Sequence, residues 1–390
     1  MKAIVVGGGI GGLATAVALL RAGHEVEVLE QAPAFTEVGA GLTLWPNAVR
    51  ALEALGLGDA VRARSLVATD GGIRDSSGRW LARQDISTIR KRFGPLLMIH
   101  RADLLDALRE AVPGPALRAG TIVTEVTADG IVTHASGQRQ ADVVIAADGV
   151  NSTARRVLWP AAKPPRYAGY VAYRMLTTPL PLPAEGGEGR VRHEQRRVGE
   201  TWGRGERFGY VPLPHGRYYC FAAITAPPGS VSEGLAGLRR RFAHWHPPIP
   251  RLLEAIPDDE ALLFHDLMEL PPLDSYVCGR VALLGDAAHA MTPNLGQGAG
   301  LALEDAATLG HLVGGVRDAE AVSAALADYD RHRRHRTQRV AARSRSVGTV
   351  GQLSAGPAVV VRNLVTRMVP DALFNASLAP LLDWQPPSAP

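Results

Sequence analysis

Cysteine is nearly absent from this chain: Cys220 and Cys278 stand alone and far apart among 390 residues. That excludes a disulfide framework and a cysteine-based zinc site, and it suits a reducing, cytoplasmic setting. Lysine is almost as rare. Of 42 basic residues only Lys2, Lys91 and Lys163 are lysines, which narrows any chemistry that needs a lysine amine. No apolar run, 358–361 being typical, approaches the ~20 residues of a membrane span. The N-terminus superficially resembles a signal peptide, but its glycine cluster and the polar residues 21–30 argue against one. Neither sign of charge dominates, since 42 basic against 38 acidic side chains give +4. Residues 331–390 carry nine arginines against Asp371 and Asp383, a local +7 that leaves residues 1–330 at −3. The pI of about 9.3 therefore describes a tail, and nucleic acid is not an expected partner. The arginines of RHRRHRTQRVAARSR (331–345) fall on every face of a helix. That is the pattern of a solvated terminal helix, with a contact to phosphate or to an acidic partner as the alternative.

What is present is the composition of a soluble globular protein, 46% apolar and 21% charged, long enough for two or three domains. A β-branched run at 2–6 meets a glycine cluster, then a helix of small residues at 10–22 stopped by Gly23, then an alternating strand at 25–29. This is a βαβ unit. Beyond it the sequence predicts a glycine-rich loop at 38–44, helices at 47–55 and 102–111, and a hairpin at 70–80. Strands follow at 121–126 and 131–135, with a buried strand at 142–147. The stretch 166–221 is β-rich, with aromatics and turns, and predicts a mixed or antiparallel sheet. A buried strand at 280–284, a glycine-rich loop, a helix at 300–312 and a helical tail from 319 complete the chain. Cys220 and Cys278 lie in expected strands and read as core residues.

Gly7-x-Gly9-x-x-Gly12 sits between strand and helix, and Glu30 ends the second strand eighteen residues after Gly12. Gly7 allows the tight turn, Gly9 a close approach to a pyrophosphate, and Gly12 close packing of helix on strand. The helix N-terminus adds free N–H groups and a positive dipole end, and Glu30 an acceptor for ribose hydroxyls. An acidic residue there disfavours a 2′-phosphate, so a flavin or NAD dinucleotide fits better than NADP. No second such motif occurs; EGGEGR (185–190) and Gly296-Gln297-Gly298 lack the third glycine at the right spacing.

Two further motifs follow: DGVNSTAR at 148–155, and RVALLGDAAHAMTPNLGQGAG at 280–300. With GxGxxG they occur in the order DGxxSxxR, then GDAAHxxxPxxGQG. The chain thereby resembles the class A flavoprotein monooxygenases of the para-hydroxybenzoate and salicylate hydroxylase type, over roughly residues 1–310. The resemblance implies an α/β fold with a Rossmann-like FAD domain built on a parallel sheet, a mixed β-sheet substrate domain and C-terminal helices. The expected division is 1–68, 99–165 and 273–330 for FAD, 69–98 and 166–272 for substrate, and 331–390 as a helical segment. It also implies FAD as cofactor, with NADPH or NADH and O₂ as co-substrates and no metal. Oxygen would be delivered through a C4a-hydroperoxyflavin to a small aromatic or heteroaromatic ring, in a monomer or homodimer.

The resemblance also distributes roles. Gly7, Gly9, Gly12 and Glu30 would hold the adenosine side, and Arg101 in IHRADLL would contact phosphate or ribityl groups. Asp148 and Arg155 are tied to both FAD and pyridine nucleotide. Gly285, Asp286, Pro293, Gly296, Gln297 and Gly298 would line the flavin, with the helix after them aimed at its N1 and O2. GAGLTLWPN (39–47), with Gly41, matches the loop beside the flavin in the salicylate hydroxylase branch. His289 belongs to the motif, and a structural or flavin-facing role is expected rather than acid–base work. Gln31 departs from the family, which often has Arg there.

Alternation in RYAGYVAYRML puts Tyr170, Ala172 and Arg174 on one face and Tyr173 on the other. Arg207 and Tyr219, in ERFGYVPLPHGRYYCFA, resemble the pair that holds a heteroaromatic substrate in FAD-dependent urate hydroxylases; ordinary sheet residues are the bland alternative. Arg174, Arg207, Tyr219 and Pro293 are thus the expected residues at the reacting ring. A halogenase is disfavoured, since no W-x-W-x-I-P occurs and His244-Trp245-His246-Pro247 is the nearest stretch. A hydroxylase of larger polyketide-type substrates, an isoprenoid epoxidase, and a flavin-bearing redox sensor stay open.

Overall fold

The computed structural model describes residues 1–35, 40–180 and 196–387; EGGEGR and residues 38–39 of the expected glycine-rich loop lie outside them. Val143–Ala146 is buried at every position and Lys2–Val6 from its second residue on. Such continuous apolar runs suit a parallel sheet covered on both faces. They sit at the centre of a six-stranded sheet in the order Val277–Cys278, Val281–Leu283, Val143–Ala146, Lys2–Val6, Glu25–Leu29, Leu117–Arg118. All neighbours are parallel except the first pair. Helix Ile10–Arg21 and helix Gly298–Gly314 pack together over this sheet. Their approach is tight: a Cβ on Gly310 would lie 2.5 Å from Ala18 Cβ. This is the α/β, Rossmann-like architecture that the motifs imply.

The second sheet has seven strands, in the order Leu263–Glu269, Arg166–Leu176, Tyr218–Thr225, Glu206–Pro212, Arg197–Trp202, Asp70–Asp75, Trp80–Gln84. It is antiparallel except where Arg197–Trp202 meets Asp70–Asp75. The expected alternation holds. Tyr173 packs on Phe264, centroids 4.7 Å apart, in a core shared with helices Gly234–Phe242 and Ile249–Glu254. Ala172 and Arg174 face the other way, toward the first sheet. Cys220 is fully buried in this sheet, whereas Cys278 is only half-buried on a two-residue edge strand.

The arginine-rich tail differs from its expected solvated form. Helix Ala319–Gly351 runs through position 331 without a break and packs on helix Gly298–Gly314. Arg333 is almost completely buried, pairing with Asp305 at 2.6 Å and Glu304 at 2.8 Å. Arg336 holds Glu304 at 2.7 Å, and Arg345 holds Glu269 at 2.8 Å. Burial alone would raise the Asp305 carboxyl, but His289 and Arg333 overcome it and hold it down to about 2. Three of the arginines of this helix are therefore counter-charges for acids in the body, while Arg331 and Arg334 pair with Asp328 and Asp330 of the helix itself. The sequence shows the excess of arginine but not which acids of the body it meets, because those partners lie 28 to 76 residues away.

Candidate active site

A cavity of about 390 Å³ runs between the two sheets, from the glycine turn at Gly9 to the strands bearing Arg174, Arg207 and Tyr219. Each glycine of the first motif has its own reason. Gly7 has φ +103°, and a Cβ there would lie 2.3 Å from the Ala147 carbonyl oxygen; on Gly12 it would lie 1.9 Å from the Gly7 oxygen. A Cβ on Gly9 would meet nothing within 4 Å, so that glycine opens onto the cavity. Glu30 accepts from the backbone N–H of Gly8 at 2.6 Å and of Ala32 at 2.7 Å, fixing its carboxylate at the turn.

Arg101, at the start of helix Arg101–Glu110, lines the cavity, and burial followed by the nearby Arg174 cation lowers its pKa while Asp286 opposes the shift. Asp286 is exposed into the cavity at the start of a short helix that follows Gly285, where φ is +59°. Asp148 caps the helix Thr153–Leu158, accepting from the N–H of Thr153 at 2.7 Å and of Ala154 at 3.2 Å. Its other oxygen, Oδ1, is buried with no partner among the described residues.

Arg155 is placed differently from its expected cofactor contact. Its guanidinium is buried and donates to the Ala287 carbonyl at 2.7 Å and to the Val150 carbonyl. It braces the 148–155 loop against the helix bearing Asp286 and does not line the cavity. His289 is likewise structural, with Nε2 2.6 Å from Asp305 Oδ2 and burial nearly complete.

Pro293, Gly296 and Gly298 line the floor, where helix Gly298–Gly314 presents its first turn. The N–H groups of that turn have no partner inside the helix and carry its positive dipole end. Gln297 is buried just before it and accepts from Asn47 Nδ2 at 2.9 Å; Asn47 also donates to Glu304 at 2.6 Å. Gly41 brings a strand against the roof, for a Cβ there would lie 2.4 Å from Tyr219 Cβ.

On the roof, Arg207 is 2% exposed yet lines the cavity. It donates to Glu200 at 3.2 Å and to Asn294 Oδ1 at 2.6 Å, while its Nε has no partner among the described residues. Asn294 in turn donates to Thr292 Oγ1 at 2.7 Å and to the Ser344 carbonyl at 2.8 Å, and exchanges hydrogen bonds with Tyr170. The floor loop and the roof arginine are therefore one hydrogen-bonded unit. Burial raises the Tyr219 phenol, and Arg174 and Arg101 partly offset it. Glu200 and Asn294 escaped the sequence reading. Glu200 reaches Arg207 only through the antiparallel register that sets Trp202 opposite Arg207, and Asn294 occupies a free position inside the third motif.

A family model described as an FAD binding domain matches residues 1–166 and 272–344, the two stretches that build the cavity floor. The chain belongs to the class A FAD-dependent aromatic hydroxylases. Similar proteins include the aurachin C monooxygenase/isomerase of Stigmatella aurantiaca, 37% identical over 99% of both chains. The FAD-dependent urate hydroxylase of Klebsiella pneumoniae is 33% identical over 88% of this chain and 89% of that one. The solved structure of Klebsiella pneumoniae HpxO complexed with FAD and uric acid has a TM-score of 0.84 at 30% identity, covering 98% and 96% of the two chains. The hydroxylase is thus an FAD enzyme that uses NAD(P)H and O₂. Among the described residues no helix is long and apolar enough to cross a membrane, and no three or more His, Cys, Asp or Glu side chains are grouped to hold a metal ion.

Proposed function

We propose that this hydroxylase oxygenates a neutral phenolic or heteroaromatic ring held beneath Arg207 and Tyr219. One observation carries the reading: Arg207 is a nearly fully buried arginine on the cavity wall, with two nitrogens engaged by protein and Nε left over. Because Glu200 sits beside it, Arg207 offers N–H groups rather than an uncompensated cation, which suits a ring carbonyl or lactam better than a carboxylate. Tyr219 adds a neutral hydroxyl, since burial keeps it protonated. Ala172, Ala223, Leu267 and Phe221 give the apolar faces between which a flat ring fits.

Gly9, Arg101, Asp148, Asp286 and the first turn at Gly298 would hold FAD, as the open space at Gly9 and Gly298 and the unpartnered Asp148 Oδ1 support. FAD, when bound, supplies the redox and oxygen-transfer chemistry. The chain's own contribution is to orient the ring, exclude water, and place the positive end of helix Gly298–Gly314 where negative charge develops. The scarcity of cysteine supports a cytosolic setting. A larger, polyketide-type substrate is the second reading, favoured by the full-length similarity to the aurachin C enzyme.

The test is NAD(P)H consumption across aromatic acids, phenols, purines and larger polyketide-type rings, with mass spectrometry of products. Stimulation by neutral rings, with a product heavier by one oxygen, is expected. Stimulation confined to carboxylates overturns the neutral-ring reading, and none at all overturns turnover itself.

A further inference from the structure

Most of the large apolar side chains that the described residues expose lie in one stretch, 350–373. Helix Gly356–Met368 turns only Val359 and Arg362 fully inward. Val360, Leu364 and Met368 form an i, i+4, i+8 ridge at 67%, 57% and 72% exposure. Beside the ridge, Val361 and Val365 line an open apolar groove of about 490 Å³ against the end of helix Ala319–Gly351. Val369 and Leu373 continue the surface past the helix end.

An apolar stripe of this kind can face a bilayer, a partner protein or a second copy. A bilayer-surface helix carries free Lys and Arg along its polar flank. This helix has two basic residues, and protein holds both: Arg362 donates to the carbonyls of Gly351 at 3.1 Å and Gly203 at 2.9 Å, and Arg367 pairs with Asp75. The eight exposed side chains from Val350 to Leu373 keep 39–72% of their surface. Together they leave roughly 700–800 Å², above the few hundred Å² a lone monomer usually leaves contiguous and about one side of a standard interface. A ridge lying beside a groove on one surface is also self-complementary, since a two-fold axis sets each ridge into the other copy's groove.

We propose that this surface joins two copies of the chain in an isologous homodimer. The contact has a consequence for the site. The elbow between helices Ala319–Gly351 and Gly356–Met368 stands directly behind the roof arginine: a Cβ on Gly351 would lie 2.9 Å from Arg207 Cδ, and Gly205 N–H donates to the Leu353 carbonyl at 2.9 Å. Dimer formation covers the outer side of this elbow and so stiffens the wall against which Arg207 rests.

Sedimentation velocity on the FAD-loaded protein from micromolar to tens of micromolar tests this. The expected species has twice the chain mass of 41.4 kDa. Leu364→Glu with Met368→Glu should raise the dimer dissociation constant at least ~100-fold by burying charges without partners, with circular dichroism and flavin content unchanged. Val231→Glu, at a residue 89% exposed outside the patch, should leave the dimer intact. If the double variant fails to fold, the single Leu364→Ser should still weaken the dimer. A wild-type monomer throughout, or a dimer indifferent to the ridge substitutions, overturns the proposal. So does a monomer that co-sediments with phosphatidylserine vesicles.

Discussion

The sharpest consequence of the roof geometry concerns Glu200. Its carboxylate lies 3.2 Å from Arg207 Nη1, with the arginine side chain 2% and the glutamate 23% exposed. At that separation the Coulomb attraction is about 5 kcal/mol for an effective dielectric constant of about 20. Glu200 touches water and measured pairs fall well below such figures, so the net influence on a third charge entering the site is nearer ~1–2 kcal/mol. Glu200→Gln keeps the shape and the acceptor for Trp202 Nε1, which stands 2.9 Å away, and leaves Arg207 uncompensated. Anionic rings should then gain on neutral ones by roughly tenfold or more, about 1.4 kcal/mol. The assay is titration of the flavin absorbance with matched pairs, an aromatic carboxylate against its primary amide, in wild type and variant. An unchanged ratio, or one that moves toward the amide, refutes the electrostatic reasoning.

Three further outcomes follow from other parts of the molecule. Gly9→Ala should fold with unaltered thermal stability but retain little FAD, whereas Gly12→Ala should fail to accumulate as folded protein; flavin content and circular dichroism separate the two. Arg333→Met leaves two buried carboxylates with too few partners and should cost about 3–5 kcal/mol, read as a lower midpoint in urea. His265 has its pKa pushed from 6.5 to about 4, first by burial and then by the Arg174 cation. The unfolded chain therefore binds the extra proton between those values, so stability falls as pH drops from 6.5 toward 4. His265→Gln should flatten that part of the profile of melting temperature against pH, and an identical profile would show the imidazole to be solvated instead.

The cofactor half of the fold was legible because its determinants are local. A strand that must be buried on both faces reads as an unbroken apolar run, and a turn that approaches a dinucleotide reads as glycines at fixed offsets. The roof was half legible: alternation correctly separated Tyr173 from Ala172 and Arg174, and Arg207 and Tyr219 do face the cavity. What escaped depends on register and on long-range pairing. Glu200 meets Arg207 because two strands pair with Glu200 opposite Gly209, and no spacing along the chain encodes that. Arg333 looked like one solvated arginine among many, since Glu304 and Asp305 sit on another helix. Arg155, placed in a cofactor motif, turned out to clamp two carbonyls, because the motif fixes the loop's shape as well as its ligand.

The central claim is that Arg207 holds the ring while other residues hold the flavin. It is tested most directly by titrating Arg207→Ala with the best ligand from the substrate panel, following the flavin spectrum. The account predicts an affinity loss of at least ~10-fold, consistent with losing hydrogen bonds to a charged group, with flavin content equal to wild type. Unchanged affinity, or a variant that emerges without FAD, would contradict it.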